Sequence, residues 1–330
     1  MATFINRQSL IFFTLIAASH IGCANNWDSL AQETKALCTS AQSISAPAQD
    51  QPDDAQKKLL AQCDASAFYY GFENAPDYIQ ARKCAFIKND YGVLTMIYAN
   101  GKEVKPDLNL AIHYACLMEA APAETEGRVS HLAKMKTGND KSTFDICDDI
   151  TSGYMMGVCA SIDEAQAEPQ QLKYLAEVKQ KLSSTEQAAF QKLLDASVIY
   201  FKARVDNELD DRGTGASAFA ISERMALNKT MTQMIKDTLE CKLPTATEQQ
   251  YQLADAQLNQ AYKKTQKKPF PSDVSITSAG IQKTERAWIN YRDAWIDFAQ
   301  FKCPNANTTN WKTLLTNERA KQLADLANFM

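Results

Sequence analysis

Glycine and proline are both scarce in this sequence, at 11 and 10 among 330 residues, or about 3 % each where soluble proteins average about 7 % and 5 %. So few helix breakers exclude a design of short strands and tight turns and predict an all-α fold. Histidine is scarcer still, at three. His113 and His131 stand in no ligand spacing with each other or with a cysteine pair, and neither stands in a recognisable nucleophile motif. No C-x-x-C, H-E-x-x-H or G-x-S-x-G occurs, so the usual zinc spacings and the common hydrolase signatures are missing. Gly213-Thr214-Gly215 lacks the Gly-Lys-Ser/Thr ending of a phosphate loop and follows a helical stretch, so it reads as a turn. Asp148-Asp149 are neighbours on the chain and would point different ways on a helix, which is poor geometry for a carboxylate pair in catalysis. No enzyme, metal or cofactor is expected. Neither sign of charge dominates: 35 Lys and Arg face 39 Asp and Glu, a net charge of −4. That excludes the basic footprint of a nucleic-acid binder.

No long apolar run occurs either. Leu10 to Ala18 is the main one, too short for a transmembrane helix of about 20 residues. With Arg7 before it and Gly22-Cys23-Ala24 after it, residues 1–24 read as a signal peptide. Two routes of processing fit: cleavage before Asn25, or a lipid anchor at Cys23, where Ile21-Gly22-Cys23 fits the end of a lipobox but His20 replaces the usual Leu. Loss of the leader takes Arg7 with it and brings the net charge to −5. Export to a bacterial periplasm or envelope is therefore expected.

What the chain does have is cysteine. Nine are present, and eight remain beyond Cys23: 38, 63, 84, 116, 147, 159, 241 and 303. An even number in an exported chain predicts up to four disulfides. Cys147 and Cys159 lie 12 apart around Ser152-Gly153 and are expected to pair locally.

An internal repeat with an offset of 30 follows the polar stretch Ala46–Asp54. Gly71, Pro76, Asp77, Ala81 and Ala85 are echoed by Gly101, Pro106, Asp107, Ala111 and Ala115. Each unit reads as a helix, a glycine turn, and Pro-Asp opening a second helix. Two such hairpins stack as a short αα solenoid. With the first turn near Asn74, Cys63 and Cys84 face each other, and elimination leaves Cys38 with Cys116. Tyr98-Ala99-Asn100-Gly101 through Leu110-Ala111 resembles the Sel-one-like helical repeat, and residues 68–85 resemble a degenerate copy. The resemblance covers about 60–120 and implies a binding scaffold.

From Leu172 the pattern is helical. Leu172, Leu175, Val178 and Leu182 share a face, Ser184-x-x-Gln187 has the form of a capping box, and Phe190, Leu193, Leu194, Val198 and Phe201 form the next stripe. Another helix is expected over about 218–239. Farther on, Trp288, Tyr291, Trp295 and Phe298 recur at helical spacing and are read as core, not as a binding platform. Asp255, Asn259, Arg286 and Arg292 are read as a polar network tying two helices together.

The last ninety residues carry the most specific signal. Asp255-x-x-Leu258-Asn259-x-x-Tyr262 is followed by Arg286-x-Trp288-x-x-Tyr291-Arg292-Asp293, and then by Leu315-Thr316-Asn317-Glu318-Arg319. These resemble the LprI-type lysozyme-inhibitor family, in which the first two motifs lie on paired helices. Likeness to an extended form of the family starts near Phe144-Asp145-Ile146-Cys147. Relatives carry cysteines closer to these motifs than this chain does, and the resemblance implies that Cys241 and Cys303 form the corresponding bridge. The resulting division is a helical-repeat domain over 25–140 and an LprI-like helical-bundle domain over 141–330, most specific over 240–330. The resemblance implies an envelope protein that inhibits a lysozyme by occluding its cleft. The alternative is an envelope scaffold or immunity-type protein holding a different protein through its repeats. Asp210 and Asp211, before the glycine turn, are the candidate contacts to a basic partner.

Overall fold

Gly71 and Gly101 adopt left-handed backbone, φ 72° and 63°, in a computed structural model of the chain, which describes residues 27–329. The leader and Cys23 lie outside those residues. A Cβ at either glycine would meet a proline ring, at 2.8 Å from Pro76 or 2.5 Å from Pro106, so only glycine fits both turns. The match continues at the same offset. The N–H of Asp77 donates to the Phe68 carbonyl and that of Asp107 to the Tyr98 carbonyl, each at 2.9 Å. Both aspartates then cap a helix, accepting from the N–H of Gln80 and of Leu110 at 3.0 Å.

Thirteen α-helices and no strand are found among the described residues. Seven precede the middle of the chain: α1 (Gln32–Ala41), α2 (Asp54–Leu59), α3 (Ala65–Tyr70), α4 (Tyr78–Lys88), α5 (Tyr91–Asn100), α6 (Leu108–Leu117) and α7 (Pro122–Lys136). The hairpins α3–α4 and α5–α6 stack on one core, in which Ala81, Ala85, Ala111 and Ala115 are buried and let the helices approach closely. A 3-10 turn, Trp27–Ser29, precedes α1.

Six longer helices follow: α8 (Gly153–Lys181), α9 (Ser184–Glu208), α10 (Ala216–Leu239), α11 (Glu248–Lys267), α12 (Ser278–Lys302) and α13 (Thr309–Ala327). A second core collects residues from α9 to α13 around Trp288, Trp295 and Phe298. Helix α8 serves both cores: Met155 and Cys159 lie in the first, Val178 in the second. It runs parallel to α10, with Gly153 against Thr214 and Gly215, Gly157 against Ser217, Glu164 paired to Arg224 and Gln171 bonded to Thr232. The capping box of α9 sits one residue earlier than the sequence pattern placed it. Ser183 accepts the Glu186 N–H, and Glu186 accepts the Ser183 N–H at 2.8 Å. Leu172 and Val198, assigned to apolar faces, are 58 % and 67 % exposed. The stripe at this end of α8 narrows to Leu175, Val178 and Leu182.

Four disulfides staple the chain. Cys38–Cys116, Cys63–Cys84 and Cys147–Cys159 close the first core, and Cys241–Cys303 ties the end of α10 to the end of α12.

Candidate functional site

The motif residues of the last ninety positions divide between core and surface. Helix α11 starts from a capping box, Thr247 with Gln250, and buries Ala254, Leu258, Ala261 and Thr265 on one stripe. This stripe packs along α13, while α12 packs along α9, so the two motif helices touch only lightly. The expected pairing of α11 with α12 is thereby corrected: each has a different main partner. Trp288, Tyr291, Trp295 and Phe298 are all buried. Tyr291 stacks on Tyr200 at 5.1 Å between ring centroids, Phe298 meets Phe190 at 5.2 Å, and Trp295 meets Trp311 at 5.7 Å. The aromatic face is core.

The polar motif residues do not tie helices together. Asn259 donates to the Asp255 carboxylate at 2.9 Å within α11. Arg292 pairs with its neighbour Asp293 and lies over the Trp288 ring at 5.1 Å. Arg286 is exposed, and Tyr262 is half-buried at the edge of the core. The network that does join helices was not legible in the sequence. Arg319, fully buried, donates to both oxygens of Glu208 at 2.6 and 2.8 Å and to Glu285 at 2.9 Å. Arg204 meets Glu208 at 3.0 Å and Glu223 at 3.1 Å. Burial pushes the Glu285 carboxyl above its ordinary value, against the pull of Arg319. Glu208 ends α9, and its partner lies 111 residues away.

Asp210 and Asp211 are both engaged within the chain. Arg212 clamps Asp210 at 2.9 and 2.7 Å, and Asp211 accepts the Ser275 N–H at 3.0 Å. The Arg212 hydrogen bonds hold Asp210, and the Ser275 N–H holds Asp211, below the usual carboxylate range.

His131, which belongs to no recognisable nucleophile motif, meets a hydroxyl and a carboxylate in space. Its Nδ1 lies 2.9 Å from Asp149 and its Nε2 3.2 Å from the Ser142 hydroxyl. The same Nε2 faces Asp140 at 3.5 Å, and the Ser142 N–H is itself spent on Asp140 at 2.8 Å. A hydroxyl and a carboxylate thus compete for one nitrogen. The group pins the 140–149 loop to α7. Among the described residues no cluster of His, Cys, Asp or Glu could hold a metal ion.

Cavities open on the surface of the described residues, and two of them bear on the site. One, of about 550 Å³, lies beside the second hairpin between Pro47–Asp50 and Glu103–Leu110, with Lys105 and Lys136 on its walls. Tyr98 donates to Asp50 at 3.0 Å at this site. The other, of about 260 Å³, is a groove between α11 and α13, closed at one end by Pro244, Thr245 and Ala246. It has no charged lining residue. Asn310 and Gln250 hold its shape through their carbonyl oxygens, which accept the N–H of Ala246 at 3.0 Å and of Thr247 at 2.8 Å. Gln257 and Asn317 line it too, and Leu253 stands at its edge, 62 % exposed.

With this geometry in place, comparison with known families gives one match. The family model described as lysozyme inhibitor LprI matches residues 240–323, which carry α11, α12 and most of α13. The match is narrower than the 145–330 expected from the motifs. No curated protein matches the chain, and no solved structure does.

Proposed function

We propose that this chain is an exported envelope protein that inhibits a lysozyme by protein–protein occlusion. The family match over 240–323 carries this reading. The four disulfides agree with an oxidising compartment outside the cytoplasm. No described helix is long and apolar enough to cross a membrane. Processing at Cys23, soluble or lipid-anchored, belongs to the same proposal. The division into a repeat domain over 25–140 and an LprI-like domain over 141–330 also belongs to it, as does the Sel-one-like character of the hairpins.

Charge distribution refines the reading. Residues 25–239 hold 22 Lys and Arg against 30 Asp and Glu, while 240–323 hold 12 against 8. Attraction toward a basic lysozyme therefore comes from the residues before the family-matched segment, equally from 25–140 and 141–239 with 11 basic against 15 acidic residues each. The family-matched segment is itself basic. Opposite charge acts mainly on the association rate. The test is a lysozyme-inhibition assay with the chain lacking its leader: loss of cell-wall lysis supports the reading, and unimpaired lysis at stoichiometric excess removes it. Asp210 and Asp211 are the proposed rim contacts. Changing both to Asn is expected to slow association and flatten its salt dependence. Surface plasmon resonance at two salt concentrations measures both effects, and identical on-rates would remove the segment from the interface.

The second reading, a scaffold that holds another protein, draws on the 550 Å³ cavity beside the second hairpin. It predicts no effect on lysozyme.

A further inference from the structure

The groove of about 260 Å³ between α11 and α13 combines three features. Its lining is uncharged, although 240–323 carries four more basic than acidic residues. Its amides are sorted by their internal bonds. Gln250 and Asn310 spend their carbonyl oxygens on the chain and keep N–H donors, and Gln257 and Asn317 make no side-chain hydrogen bond within it. Its rim holds Leu253, a large apolar side chain left 62 % exposed.

Size narrows the occupant. Small-molecule sites run from about 300 to 1,000 Å³, so this groove is too small for a cofactor. It suits one or two residues of a protein loop. The free amide N–H groups call for oxygen acceptors, which an extended backbone supplies as carbonyls. A sugar would also offer acceptors, but the lining has no aromatic ring on which a pyranose could stack. Charge points the same way. The charged residues on the helical stretches that form the groove are Glu248, Asp255 and Glu318 against Lys312, a local acidic excess that favours approach of a basic enzyme.

We propose that the groove is the docking point for a loop of the inhibited lysozyme, with Gln257 and Asn317 donating to its backbone carbonyls and Leu253 packing against an apolar side chain. This rests on the inhibitor reading and names the surface that reading leaves open. The acidic residues before 240 speed encounter, and the groove holds the complex together once formed.

The experiment measures binding of hen egg-white lysozyme by surface plasmon resonance, with the full chain lacking its leader. Leu253→Ala and Gln257→Lys are each expected to weaken binding about tenfold or more, chiefly through faster dissociation. Asn259→Ala, on the same helix outside the groove, is expected to bind as wild type does. Melting temperatures of all variants should match wild type, because these side chains are exposed. If wild type binds and inhibits while both groove variants bind equally well, the groove proposal is overturned and the inhibitor reading stands. If wild type neither binds nor inhibits, the inhibitor reading falls and takes the groove with it. A parallel titration with tri-N-acetylchitotriose separates the sugar: binding by wild type that both variants lose would assign the groove to a glycan and overturn the proposal.

Discussion

Arg319 is a fully buried cation in the second half of the chain. A guanidinium with no exposure costs several kcal/mol in lost hydration, and only close carboxylates offset that cost. Glu208 supplies two hydrogen bonds and Glu285 a third. Glu208→Gln is therefore expected to destabilise the fold by about 3–5 kcal/mol, because it leaves Arg319 buried with one carboxylate. Urea unfolding followed by circular dichroism measures this. Glu285 behaves differently with pH. Its folded-state pKa is raised by burial, so over a window above the ordinary Glu value of about 4.3 the folded chain holds a proton that the unfolded chain has released. Stability contributed by this group is then lost as pH rises through that window. Glu285→Gln should remove this part of the pH slope, and a slope identical to wild type would contradict the assignment.

At the scale of elements, the close parallel contact between α8 and α10 depends on small residues. A Cβ at Gly153 would lie 2.3 Å from the Gly215 nitrogen and 2.4 Å from the Thr214 carbonyl carbon, both backbone atoms that cannot swing aside. Alanine gains at most about 1 kcal/mol in helix propensity, against a cost of about 1–3 kcal/mol for overpacking. Gly153→Ala is thus expected to lower the melting temperature, and an unchanged value would mean that the two helices separate freely. This pairing was invisible in the sequence. Only five of the 29 residues of α8 are buried, so it shows no strong apolar period, and Pro169 within it reads as a stop. The aromatic stripe of α12 was legible because Trp288, Tyr291, Trp295 and Phe298 are large and regularly spaced. The hairpin turns were legible because Gly71 and Gly101 are forced by backbone conformation. Ion pairs such as Arg319 with Glu208 were not, since nothing local marks two charges 111 residues apart as partners. Gln257 was an unspecified position of its motif and Asn317 stood in the Leu315–Arg319 motif with no role attached, and only the packing of α11 on α13 sets them side by side.

For the whole molecule, the disulfides differ in what they hold. Cys147–Cys159 closes 12 residues and fastens the 145–152 loop to the start of α8. Glu124 holds the same loop by accepting the N–H groups of Thr151 and Ser152 at 2.9 and 2.6 Å. Replacing both cysteines by Ser is expected to cost about 2–4 kcal/mol, read as a lower melting temperature beside oxidised wild type. An equal melting temperature would show that the Glu124 hydrogen bonds hold the loop alone.

Between Ile162 and Val178, α8 has no buried residue. Three disulfides close entirely on the N-terminal side of that stretch and one entirely on the C-terminal side. Covalently, the oxidised protein is two knotted bodies on a single thread. One protease nick after Lys173 would leave no sulfur bridge between them, and a non-reducing gel would resolve two fragments where a chain with interlocked bridges would still migrate as one.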